Sequence, residues 1–376
     1  MTAVLAQPAG AAVKDGRGSE LPRLDNRGLR GALIGASFLN PVVDYLLIGG
    51  ALSLLVLIPL LWSDAIGFEG SQRLSSKPWI QYLFFFSNSA HFASSTVRLY
   101  SKPGANVQLP FLSAVAPWVA FGLLWLCVAS PVFGRNLQSL YLSWSPYHYA
   151  AQAYGLAVMY TYRSGSQLQP REKTALWWAA MVPFLYVLLT GGNSRAGILW
   201  LIPPLSGLAA WHMIVPPLRL ALQVGAIVAP LAVFASVWRS TGRPMPLISP
   251  LLLLVNSFWW LLLSPEDAFF VATIFHGIQY LAILMIFDAR EHAPAGVSRL
   301  KRSLRFYAVC ALLGYGLFHV LPHFFELAGY GLVEAMIAVV AIINVHHFLV
   351  DAYIWRLKPS DSNRKVIDSA LAQGAA

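Results

Sequence analysis

The sequence predicts an all-α protein, a polytopic transmembrane helical bundle of about ten spans, and three observations carry that reading. Hydrophobic residues fill 57% of the 376 positions and charged residues only 11%, far below the charged share of soluble domains, about a quarter. Apolar runs of membrane-crossing length recur from residue 33 to residue 355. These runs are continuous, whereas a transmembrane barrel needs short strands that alternate apolar with polar residues.

The elements follow in chain order. Residues 1–30 include GAAVKDGRGSELPRLDNRGLR. They are polar and basic and lack the apolar core of a cleaved signal, so a cytoplasmic tail is expected there. A single transmembrane helical domain is expected over 31–357. Spans are expected at 33–62, 79–99, 109–131 and 141–161, with basic clusters at 14–30, 98–102 and 163–173 on the cytoplasmic side. Five candidates follow, at 174–190, 197–215, 218–237, 246–263 and 268–288. An even number must cross between the basic loops at 163–173 and 290–305. The proline-rich LIPPLSGLAAWHMIVPPL, around Pro203–Pro217, is the expected place for a segment that does not cross. Spans at 303–325 and 330–355 complete the bundle, and 358–376 is expected to form a short cytoplasmic tail. Together these features predict a protein of the bacterial inner membrane with both termini in the cytoplasm.

The formal charge of +10 comes from 26 basic and 16 acidic residues. The basic residues gather between spans, so the excess reads as membrane orientation, with no nucleic-acid partner expected. Cys127 and Cys310 fall in separate spans, without the spacing of a disulfide framework or a zinc site. Gly-containing stretches such as TGGNSRAG lack the context of a phosphate loop, and Ser194 belongs to no nucleophile motif. Arg98 and Lys102 end a span, where snorkelling to headgroups explains them. Asp44, inside the first span, is expected to pair with a histidine or arginine, to bind structurally, or to handle protons.

The chemistry-bearing signal is histidine. Eight of the nine lie in or near apolar segments: His91, His148, His212, His276, His319, His323, His346 and His347. Polar groups in hydrocarbon are costly and tend to be functional. Several have polar companions at helical spacing: His148 with Gln152, His276 with Gln279 and Tyr280, His347 with Asn344 and Asp351. SNSAHFASS surrounds His91 with small residues that allow close helix approach. Neutral imidazole binds iron, copper or zinc without bringing charge into the membrane. The expected ligands are therefore His91, His148, His276, His319, His323, His346 and His347. Asp351 and Tyr280 are the expected catalytic side chains. His212 reads as a structural hydrogen-bonding group, and His292 sits in a charged loop.

Depth along the spans, at about 1.5 Å per residue, groups some of these residues and separates others. His148 and His276 fall about 10–12 Å below the side opposite the basic loops, His91 about 18 Å, and the 346–347 pair about 24–26 Å. The pair joins the others only if its span begins later than residue 330 or is strongly tilted.

The expected function is a metal-dependent membrane oxygenase or related oxidoreductase. It would hold non-haem iron, act on an isoprenoid, carotenoid, sterol or acyl chain entering from the bilayer, and take electrons from a donor. Aromatic runs such as YLFFFSNSAHF and NSFWWLLL would line its walls. The scattered histidines resemble histidine-rich membrane oxygenases in general. In all-helical architecture the chain also resembles the bacterial membrane carotene-cleaving dioxygenases. HVLPH at 319–323 and the lone HH at 346–347 depart from the HxxxH and HxxHH boxes of membrane desaturases, and no family residue role carries over. Haem held by His148 and His276, copper or zinc in place of iron, a proton-coupled transporter, and an assembly scaffold are the alternatives.

Overall fold

The structure is a computed structural model that describes residues 28–65, 78–101, 105–190, 209–292 and 298–355. The expected tails lie outside the described residues except for 28–30, as do Lys102, Ser194, the rest of TGGNSRAG after Thr190, and Pro203. Every regular element among the described residues is helical. The principal helices are α1 (Ala51–Ala65), α2 (Ala90–Ser101), α3 (Phe111–Ala129) and α4 (Pro131–Arg163). They continue with α5 (Pro170–Thr190), α6 (Ala209–Thr241), α7 (Ile248–Leu262), α8 (Pro265–His292), α9 (Arg299–Leu327) and α10 (Leu332–Ile354).

Five of these, α3, α6, α8, α9 and α10, are long and apolar enough to cross a membrane, as an integral membrane protein requires. A sixth is reached if Pro41–Ile48 and Ala51–Pro59 form one bent span. The expected ten is not reached among the described residues. The 33 residues of α4 are diluted by Tyr, Ser, Gln and His side chains, and α7 has only 15 residues.

Local sequence sets the helix ends. Ser130 accepts a hydrogen bond from Phe133 N–H, and Pro131 follows it as the first residue of α4. At α8, Pro265 opens the helix. The Ser264 hydroxyl accepts from Asp267 N–H and donates to the Asp267 carboxylate, while Glu266 and Asp267 in the first turn complement the helix dipole.

Two expected segments differ from what is observed. The run at 33–62 bends by 63° where Gly50, at φ +78°, separates the two helical pieces. A Cβ at Gly50 would also stand 2.7 Å from Gln279 Nε2, so glycine is required for both backbone and space. The expected break between 215 and 218 is absent: α6 runs unbroken through Pro216 and Pro217. Each proline removes one hydrogen bond, and the rest of a 33-residue helix carries the chain past them.

Small residues allow the site's helices to approach closely. The buried hydroxyls of Ser94 and Ser95 bond to carbonyls of their own helix, His91 O at 2.6 Å and Phe92 O at 3.2 Å, and so need no outside partner. On the facing helix, a Cβ at Gly277 would already touch His91 Cβ at 3.4 Å.

Candidate metal centre

Four helices, α2, α4, α8 and α10, meet at their histidines and run in the same direction. Contacts at their centres and at their C-terminal ends pair like with like. His91 meets His276, and further along Arg98 meets Glu291. His148 meets His276, and Arg163 and Arg290 both lie over Phe38. Tyr280 meets Asp351, and Phe287 meets Trp355. The C-terminal ends of α2, α4, α8 and α10 therefore share one arginine-bearing end of the molecule.

At the crossing, four buried imidazoles form a closed square. Going round it, ring centres are separated by 4.7 Å from His91 to His276 and 4.9 Å from His276 to His148. The remaining sides are 5.0 Å from His148 to His347 and 4.4 Å from His347 to His91. Each pair meets edge to face. Four nitrogens, one from each ring, all lie within 4.8 Å of one another, and the Nε2 atoms of His148 and His347 are 3.2 Å apart.

These dimensions match ligation of one ion. A nitrogen bonded at about 2.1 Å sets its ring centre about 3.2 Å from the ion, so neighbouring centres should be about 4.5–5.2 Å apart. The orphaned atoms agree with that fit. Both ring nitrogens of His91 and of His276, and Nδ1 of His347, are buried without a hydrogen-bond partner. Buried polar atoms normally have one. Four buried histidines within ligand distance can hold a metal ion, and imidazole content does not choose among metals.

The surroundings are aromatic on the sides and polar along the helix axes. Tyr149 lies 4.4 Å from the His276 ring, Phe348 4.4 Å from His148 and Phe92 5.1 Å from His347. Three residues before each histidine stand Asn88, Ser145, Thr273 and Asn344. Four residues after each stand Ser95, Gln152, Tyr280 and Asp351. The Tyr280 hydroxyl donates to Asp351 Oδ1 at 2.6 Å. Asp351 Oδ2 lies 3.5 Å from His347 Nε2 and 3.9 Å from His148 Nε2.

Of the seven expected ligands, the structure gathers His91, His148, His276 and His347. His346 points off the square, with its buried Nε2 unbonded. His319 and His323 line a separate cleft of about 330 Å³ with Phe318 and Met336, where the exposed His323 pairs with Glu326 at 2.8 Å. His212 is exposed, and His292 lies 3.3 Å from the Asp288 carboxylate.

The depth count separated His347 from His148 because it began the fourth span at residue 141, whereas α4 begins at Pro131. Counted from the true starts, His148 lies about 26 Å and His347 about 23 Å along their helices. One further reading changes and another narrows to one of its alternatives. Arg98 does not snorkel: it is buried and makes a two-pronged ion pair with Glu291 at 2.7 and 2.8 Å. Asp44 pairs with no histidine in the square. It accepts from the N–H groups of Phe38 and Leu39 and from the Tyr160 hydroxyl, which is a structural role. Tyr149 and Phe348, which pack on the imidazoles, each directly follow a ligand in sequence, in HYA and HHF, and that adjacency was the available signal.

No protein-family model, curated protein or solved structure matches this chain.

Proposed function

We propose that this chain is an integral-membrane, metal-dependent oxidoreductase of oxygenase type, with His91, His148, His276 and His347 holding a non-haem iron ion. The closed square of four buried imidazoles is the observation that carries the reading. Iron in such a sphere supplies one-electron and dioxygen chemistry. The chain's own part is to hold the ion, to dry it, and to place side chains around it. Tyr149, Phe92 and Phe348 keep water from the imidazoles, which strengthens every electrostatic interaction inside. Asn88, Ser145, Thr273 and Asn344 offer uncharged hydrogen-bonding groups on one side of the square.

The substrate is a lipophilic chain that enters from the bilayer, and electrons come from a donor at the arginine-bearing end. Placing that end on the cytoplasmic side of a bacterial inner membrane is part of the same proposal. Haem fits poorly. It offers two axial positions, its macrocycle fills the plane between them, and imidazoles 4.4–5.0 Å apart leave no space for it.

Elemental analysis with an absorption spectrum of detergent-purified protein tests the proposal. About one iron per chain without a Soret band is the expected result. Protein that takes up no transition metal under non-chelating conditions overturns it.

A further inference from the structure

We propose that Asp351 is a fifth, anionic donor to the ion, and that Tyr280 is the positioning residue that holds its carboxylate; this rests on the metal reading above. The separation between Asp351 Oδ2 and His347 Nε2 is 3.5 Å, that to His148 Nε2 is 3.9 Å, and the two nitrogens are 3.2 Å apart. Two donors each about 2.1 Å from one ion stand about 3.0 Å apart at a right angle, about 3.4 Å at the tetrahedral angle and about 4.2 Å when opposed. All three separations fall in that range, so one ion can bond all three atoms. A carboxylate that only supports a ligating histidine takes the other ring N–H, the one directed away from the metal. Asp351 instead faces the two nitrogens that face each other.

Helix direction explains how a residue four positions after His347 reaches the ring layer. Side chains on an α-helix lean toward its N-terminus. On four helices that run the same way, residues one turn after each histidine therefore lean back toward the square. These residues are Ser95, Gln152, Tyr280 and Asp351, and Asp351 alone among them carries a charge.

Charge supplies the second support. Four neutral imidazoles leave a divalent ion with its full charge in a medium where unpaired charge is costly, and one carboxylate halves it. Asp351 gains in the same way. It is 7% exposed, one oxygen receives the Tyr280 hydroxyl, and the other turns to the imidazoles. Tyr280 is fixed from both sides, since its oxygen also accepts from Trp355 Nε1 at 3.4 Å. Five donors leave an octahedral ion one position for an exogenous ligand.

The test uses the full chain in detergent, stripped with a chelator and titrated with Co(II), whose visible bands report coordination number. Wild type is compared with Asp351→Asn, Asp351→Glu, Tyr280→Phe and His347→Ala, each checked for helical content. Wild type should bind one Co(II) per chain with the weak bands of a five- or six-coordinate ion. Asp351→Asn should bind at least about 100-fold more weakly, beyond the usual cost of losing an outer partner, about 10–100-fold, and should show stronger four-coordinate bands. Asp351→Glu should recover part of the affinity. Tyr280→Phe should shift the spectrum and weaken binding about 10-fold. Wild-type affinity and bands in Asp351→Asn, with binding lost in His347→Ala, overturn the fifth donor and leave the metal centre standing. If Asp351→Asn does not fold, an unchanged spectrum and affinity in Tyr280→Phe overturns the proposal. Wild type that binds no Co(II) overturns both readings.

Discussion

Replacing His276 with alanine removes one corner of the square. His276 is 1% exposed, and its ring touches those of His91, His148 and Tyr149. Four-ligand zinc sites bind with about 10–16 kcal/mol in total, so each donor carries about 2.5–4 kcal/mol, or about 100- to 1,000-fold in affinity. The lost ring also leaves a hole, although the space borders polar groups that water can satisfy. The assay is metal per chain after dialysis against a chelator that buffers the free ion at a level just saturating wild type. His276→Ala should be nearly empty there, with helical content unchanged. His212→Ala, at an exposed position on α6, should stay fully loaded. Wild-type occupancy in His276→Ala would refute the claim that the square is the binding site.

Three further outcomes are expected. His319→Ala and His323→Ala should leave metal content unchanged, because both side chains line the separate cleft; lost metal in either would show that it reaches the ion. Arg98→Ala should lower stability by about 3–5 kcal/mol by stranding Glu291, whereas the paired change Arg98→Met with Glu291→Leu should recover most of that loss. Thermal unfolding in detergent measures both, and additive effects would show the two residues to be independent. Gly50→Ala should cost about 2–4 kcal/mol, from the positive φ and from overlap with Val255 and Gln279. Gly242→Ala, at φ +69° with open space around it, should cost only about 1–2 kcal/mol; equal costs would show that crowding at Gly50 is unimportant.

The membrane class and the histidine signal were legible because both are local in sequence. Apolar run length needs no knowledge of neighbours, and an imidazole in such a run stands out wherever it lies. Polar companions at helical spacing marked His148, His276 and His347, all three of which reach the square. The same signal favoured His319 and His323, since HVLPH is as regular a spacing as any. Only packing shows that their face of α9 turns to a different cleft. Arg98 was misread for a related reason: its partner Glu291 lies 193 residues away, and an arginine at a span end has a simpler local explanation. The bend at Gly50 and the continuity through Pro216–Pro217 reverse a rule of thumb. Backbone conformation at one glycine broke one helix, whereas two adjacent prolines failed to break another.

The spacing of the square's corners along the chain sets an order of events. His91, His148, His276 and His347 sit on segments made at different times during synthesis, and the last of them comes near the close of the described chain. Until α10 is threaded into the bilayer and docked, one corner is missing and any captured ion is held by three rings at most. On the proposed metal reading, loading is therefore a finishing step, which tightens a bundle already inserted and clamps α2 to α10. A cell starved of the metal should accumulate a fully inserted, looser form that protease treatment can tell from the loaded one.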